Sequence, residues 1–130
     1  MAKKKTTNKY YFSVEGETEQ WYLKWLQDLI NNTEESACKV SIDCPVKKNP
    51  LKHAKCLTVT RKIEVYHFFD FESDEPIHVQ GFQDAMDNMK KAEKLGKQIK
   101  YKLGYRYYKE NPSLSAWEAI EKILSDCKLL

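Results

Sequence analysis

No run in this chain approaches the roughly 18 consecutive apolar residues of a membrane span, so no membrane helix is expected. No apolar stretch of signal length follows Lys3-Lys4-Lys5, so no secretory leader is read there. The cysteines Cys38, Cys44, Cys56 and Cys127 form no Cys-x-x-Cys pair, and the three histidines lack zinc-finger spacing. That pattern argues against structural zinc and for reduced thiols in a cytoplasmic protein. Internal repeats are missing too. Excess charge is small: 22 Lys and Arg against 19 Asp and Glu leave +3, which excludes a DNA-coating polycation but permits a local basic patch.

What is present suffices for one domain. A chain of 130 residues, 42% of them hydrophobic, builds a single core of two or three layers. Residues 1–8 read as a polar basic tail and 9–130 as the domain. Strand-like segments at 9–14, 40–44, 63–69 and 98–103 alternate with helical patterns at 17–31, 51–62 and 81–95 and a last helix capped by Ser113 or Ser115. In the first helix Trp21, Tyr22, Trp25, Leu26, Leu29 and Ile30 are expected to form a broad buried face. The aromatic end of 63–69 suits a central strand, and 40–44 an edge. The fold class is α/β: a small, mainly parallel sheet of about four strands flanked by helices. An uncovered apolar face on the last helix (Trp117, Ile120, Ile123, Leu124) would mark a homodimer contact.

Two acidic clusters follow β-prone runs. Glu15 ends the first strand, Gly16 permits a turn, and Glu17 and Glu19 fall in the first helical turn, where acids favour the helix dipole. Asp70 is expected to end the third strand, with Glu72 and Asp74 just beyond it. Parallel strands place their C-terminal ends on one sheet edge, so Glu15 and Asp70 are candidates to meet there. Oxygen ligands of this kind select Mg²⁺, with Mn²⁺ as the alternative. The second cluster is also what a solvated acidic loop looks like. Basic residues at the same edge, Lys47, Lys48 and Lys52 after the second strand and Arg106 and Lys109 after the fourth, are candidates for nucleic-acid phosphates. The stretch from Lys97 to Lys109 interleaves cations with aromatics, as single-strand binding surfaces and half-wetted strands both do.

The segments Val14-Glu15-Gly16-Glu17-Thr18-Glu19, Phe68-Phe69-Asp70-Phe71-Glu72 and Asn111-Pro112-Ser113-Leu114-Ser115-Ala116-Trp117 together resemble the RloB-like family, small Toprim-type proteins of restriction and abortive-infection (phage-defence) loci. The resemblance implies a Toprim-like fold and Mg²⁺-dependent, nuclease-type action on DNA or RNA phosphodiesters. Glu15 would be the catalytic acid/base or an indirect ligand, Asp70 and Glu72 metal ligands with Asp74 as a spare, and a protein of the same defence locus a partner. Glu72 stands where the pattern has Asp, and Ser115 where it has Glu. The alternative is a non-catalytic module that keeps the fold and binds nucleic acid or a partner protein.

Overall fold

Strands and helices alternate along the whole chain: β1 (Thr7–Val14), α1 (Glu17–Asn31), β2 (Lys39–Asp43), α2 (Pro50–Cys56), β3 (Ile63–Phe71), α3 (Pro76–Glu93), β4 (Ile99–Tyr107) and α4 (Leu114–Asp126). The computed structural model describes residues 5–71, 75–107 and 114–130, with backbone alone at 69–71, 103–107 and 114–117. The four strands form one all-parallel sheet in the order β2-β1-β3-β4. The expected α/β class is therefore the observed one, with β2 at an edge and β3 inside. Among the described residues no helix is long and apolar enough to cross a membrane.

The period-two alternation of β1 builds both faces of the sheet. Phe12 and Val14 are fully buried against Leu23, Leu26 and Ile30 of α1 and Ala119, Ile120 and Ile123 of α4. Phe12 stacks on Tyr66 at 5.6 Å and meets Phe68 edge-on at 5.1 Å. Tyr11 lies on the other face, where Val65, Ile99 and Tyr101 pack under Ala54 of α2 and Met89 and Ala92 of α3.

Helix side chains cover both sheet edges. Along the outer side of β2, Gln20 donates to the Cys44 carbonyl (3.0 Å), Gln27 accepts from the Ile42 N–H (2.6 Å), and Asn31 both accepts from the Val40 N–H (2.8 Å) and donates to the Val40 carbonyl (3.0 Å). On β4 the Glu93 carboxylate accepts from the Tyr101 N–H at 2.9 Å. Open backbone groups on an edge strand invite pairing with other chains, and these contacts take up those of Val40, Ile42 and Cys44 beside β2 and the Tyr101 N–H on β4.

Several expected features are corrected. In α1, Leu23, Leu26 and Ile30 face the core, while Trp21, Tyr22, Trp25 and Leu29 are exposed. The α2 helix stops at Cys56, because the β-branched run Thr58-Val59-Thr60 does not continue it. Lys97 Nζ then donates to the carbonyls of Ala54, Lys55 and Leu57 at 3.1–3.3 Å, holding the C-terminal end of α2. Helix α3 begins at Pro76, five residues before the expected start at Gly81, since a proline in the first turn loses no helical hydrogen bond. Asp70 does not end β3, which runs on to Phe71, and β4 extends to Tyr107. The tail expectation fails at residues 5–8: Lys5 Nζ donates to the Thr33 and Glu34 carbonyls (3.3 and 2.8 Å), the Thr6 carbonyl accepts from the Lys39 N–H (2.9 Å), and β1 starts at Thr7. Of the expected α4 face, Ile120 and Ile123 are buried and Leu124 is partly buried, while the Trp117 side chain lies outside the described residues.

Candidate functional site at the β1–β3 edge

From β1 the chain crosses to β2 on one side and then to β3 on the other, so the strand order reverses between β1 and β3. In open parallel sheets the crevice beyond the C-terminal strand ends at such a reversal is where ligands bind. Val14 is aligned with Phe68; Glu15 is the next residue of β1's chain, and Asp70 lies two residues past Phe68 within β3. Asp70 is in turn aligned with Arg106 of β4. The backbone thus brings Glu15, Asp70 and Arg106 to one edge on three successive strands, with Asp70 at a register position of the Phe68 face and Glu15 bonded to His67 of the opposite face. Glu72, Asp74 and Lys109 lie outside the described residues.

Glu15 is held by a polar chain running into the sheet. Ser13 and His67 are aligned across β1 and β3, and Ser13 Oγ lies 2.6 Å from His67 Nδ1. His67 Nε2 lies 3.2 Å from Glu15 Oε1. Because a carboxylate only accepts, Nε2 carries a proton; with a neutral ring, Nδ1 then accepts from the Ser13 hydroxyl. That one tautomer gives both ring nitrogens of His67 a partner. Ser13 and His67 are fully buried, whereas the Glu15 side chain keeps 20% of its surface.

That gradient decides how the chain reads chemically. In a serine-nucleophile triad the hydroxyl faces substrate and the acid is buried behind the imidazole. Here the hydroxyl is sealed in and the carboxylate reaches the edge, so the arrangement orients a carboxylate and does not activate a serine. Glu15 Oε2 is the oxygen that His67 does not use.

A second histidine lies close by. His53 of α2 is 2% exposed, and neither ring nitrogen has a hydrogen-bond partner in the structure. Burial pushes its pKa below the ordinary 6.5; Asp43 opposes this, while His67 and Lys47 add to it, and the ring is held neutral.

No family model, curated protein or solved structure matches the chain.

Gly16 caps α1 with φ −155° and ψ 174°, extended backbone open to any residue, so the turn does not require glycine. A Cβ there would meet only the far end of the Glu19 side chain, at 3.2 Å. Lys47, Lys48 and Lys52 are exposed, and the Lys47 N–H donates to the Val14 carbonyl at 3.0 Å, which ties the basic loop to the strand end that carries Glu15. The Lys97–Lys109 stretch divides differently. Lys97 holds α2, Lys102 pairs with Glu64 at 3.2 Å and lies over the Tyr66 ring, and Tyr101 is buried with its hydroxyl on the Pro50 carbonyl. Among the described residues, no group of three or more His, Cys, Asp or Glu is placed to hold a metal ion.

Ser13, His53 and His67 were not singled out from the sequence. The signal available for two of them was polarity inside strands: Ser13 interrupts Phe12 and Val14, and His67 interrupts Val65 to Phe69. A polar group buried in a sheet is costly unless it is bonded, so two such groups in neighbouring strands point to each other.

Proposed function

We propose that the protein is a Mg²⁺-dependent nuclease-type enzyme acting on nucleic-acid phosphodiesters, working in the cytoplasm in phage defence as the RloB-like resemblance implies. The observation that carries the reading is the strand order, which sets Glu15 and Asp70 beside the reversal between β1 and β3. Glu15 suits the acid/base role: its carboxylate is oriented through Oε1 by His67 and partly open to the edge. A positioned group of this kind contributes about 10²–10⁴-fold to a rate. Asp70, Glu72 and Asp74 would hold Mg²⁺ or Mn²⁺, which when bound polarises a phosphoryl oxygen. Lys47, Lys48 and Lys52, with Arg106 and Lys109, would take the phosphates of the flanking strand.

A second reading has its own support. The Glu15–His67 bond satisfies a carboxylate without any ion, as a purely structural pair would. On that reading the fold is a nucleic-acid- or partner-binding module. Cleavage of single-stranded and duplex DNA and RNA with Mg²⁺ or Mn²⁺ separates the two. The enzyme reading expects metal-dependent cleavage that drops at least about 100-fold in Glu15→Gln and in Asp70→Asn. Cleavage unchanged in both variants would remove the assigned site. Binding without cleavage would leave the module.

A further inference from the structure

Helix α1 carries the largest apolar anomaly among the described residues. Trp21, Trp25 and Leu29 are 63%, 55% and 49% exposed and follow i, i+4, i+8 spacing, with Tyr22 (44%) alongside. Two exposed tryptophans one helical turn apart are not random surface, since contiguous apolar patches mark interaction sites. The other faces of α1 are already engaged: Leu23, Leu26 and Ile30 pack on the sheet, and Gln20, Gln27 and Asn31 occupy the outer edge of β2. That edge is closed to an added strand, which leaves helix-to-helix packing as the geometry the stripe suits.

We infer that the Trp21–Trp25–Leu29 stripe is a homodimer interface, in which α1 of one copy packs antiparallel on α1 of a second about a two-fold axis near Trp25. A row at i, i+4, i+8 is the ridge that interdigitates with its own kind when two helices cross. The row is centred on Trp25, so a two-fold brings Trp25 against Trp25 and Trp21 against Leu29 of the other copy. The flanks are self-complementary as well. Lys24 and Asp28 lie on one side of the stripe, and antiparallel pairing about Trp25 leaves Lys24 of each copy two positions along the axis from both Lys24 and Asp28 of the other, within reach of Asp28 for a long lysine side chain. Nucleic acid suits the stripe less, because α1 sets Glu17, Glu19 and Asp28 against Lys24 alone.

The area is adequate for a reversible dimer. With about 150–250 Å² per aromatic side chain, the exposed fractions of the three rings supply roughly 500–800 Å² over two copies. Leu29 and the flanking residues bring this toward the ~1,000 Å² of a specific but weak interface.

Sedimentation equilibrium from about 1 to about 100 µM tests this, with far-UV circular dichroism to check that each variant is folded. The wild type is expected to dimerise within that range. Trp25→Ala, a change at an exposed position, should raise the dimer dissociation constant at least about tenfold. Lys24→Glu should weaken the dimer, and adding Asp28→Lys should restore it. A monomer at every concentration, a dimer indifferent to Trp25→Ala, or a monomer whose tryptophan fluorescence is quenched by an oligo(dT) strand would overturn the inference.

Discussion

Three residues set the polarity of the β1–β3 edge: Ser13, His67 and Glu15. Replacing His67 by Phe leaves the Ser13 hydroxyl buried without a partner and the Glu15 carboxylate without its donor. Unpaired buried groups cost about 1–3 kcal/mol each, so His67→Phe should destabilise by about 3 kcal/mol and Ser13→Ala by about 1. The double variant should cost less than the sum, because both changes break the same bond. Urea unfolding at neutral pH reads all three. His53 predicts the opposite sign. Its ring is buried and unbonded, so His53→Leu should be neutral or stabilising by about 1 kcal/mol. The pH dependence follows from its lowered pKa. The unfolded chain binds the proton more readily, so the stability is complete above about pH 6.5 and is lost as pH falls toward the folded value. Unfolding midpoints of wild type and His53→Leu should therefore converge with rising pH and diverge on going from pH 7 to 5. Parallel midpoints across that range would remove the account of His53. Of these residues only Glu15 stood out in the sequence. A strand-terminal acid before a helix is conspicuous, whereas a serine and a histidine become a pair only once register aligns two strands 54 positions apart.

At the scale of elements, α1 shows how a sequence pattern misleads. Its apolar residues fill two faces, and composition favours burying the larger side chains. The phase is instead set by Leu23, Leu26 and Ile30, while Gln20, Gln27 and Asn31 are kept for β2. Asn31 is the strongest link, with two bonds to Val40. Asn31→Ala should cost about 2 kcal/mol, since it leaves a donor and an acceptor of β2 unmade. It should also raise amide exchange at Val40, which hydrogen-exchange NMR would detect. The helix boundaries were readable where caps were simple, as at Glu17–Asn31. They were not where Pro76 could start α3 early or a β-branched run cut α2 short. Strand ends were underestimated at Asp70 and Leu103, because neighbouring strands supply the pairing that local propensity does not show.

For the whole molecule, the alternation of strand and helix patterns was enough to read a parallel sheet with β2 at its edge. The order β2-β1-β3-β4 was not, because nothing local says on which side of β1 the third strand inserts. Tertiary closure also joins segments 89 positions apart. Cys38 Sγ lies 3.3 Å from Cys127 Sγ with both buried, and burial pushes the Cys127 thiol up to about 11. Thiolate is the reactive form, so a maleimide added to the native protein should label exposed Cys56 first and leave Cys38, Cys44 and Cys127 unmodified until unfolding. Mass spectrometry of a timed reaction checks this, and early labelling of Cys127 would contradict its burial against Cys38.

The central proposal is a cation-dependent site at the reversal between β1 and β3, with Glu15 and Asp70 at its edge. A Mg²⁺ titration followed by amide chemical shifts tests it most directly. The account predicts saturable shifts clustered at Glu15, Asp70 and Glu72 at millimolar metal, abolished in Asp70→Asn while the shifts of the α4 core stay fixed. Shifts that are absent there, or spread evenly over surface carboxylates in both proteins, would contradict it.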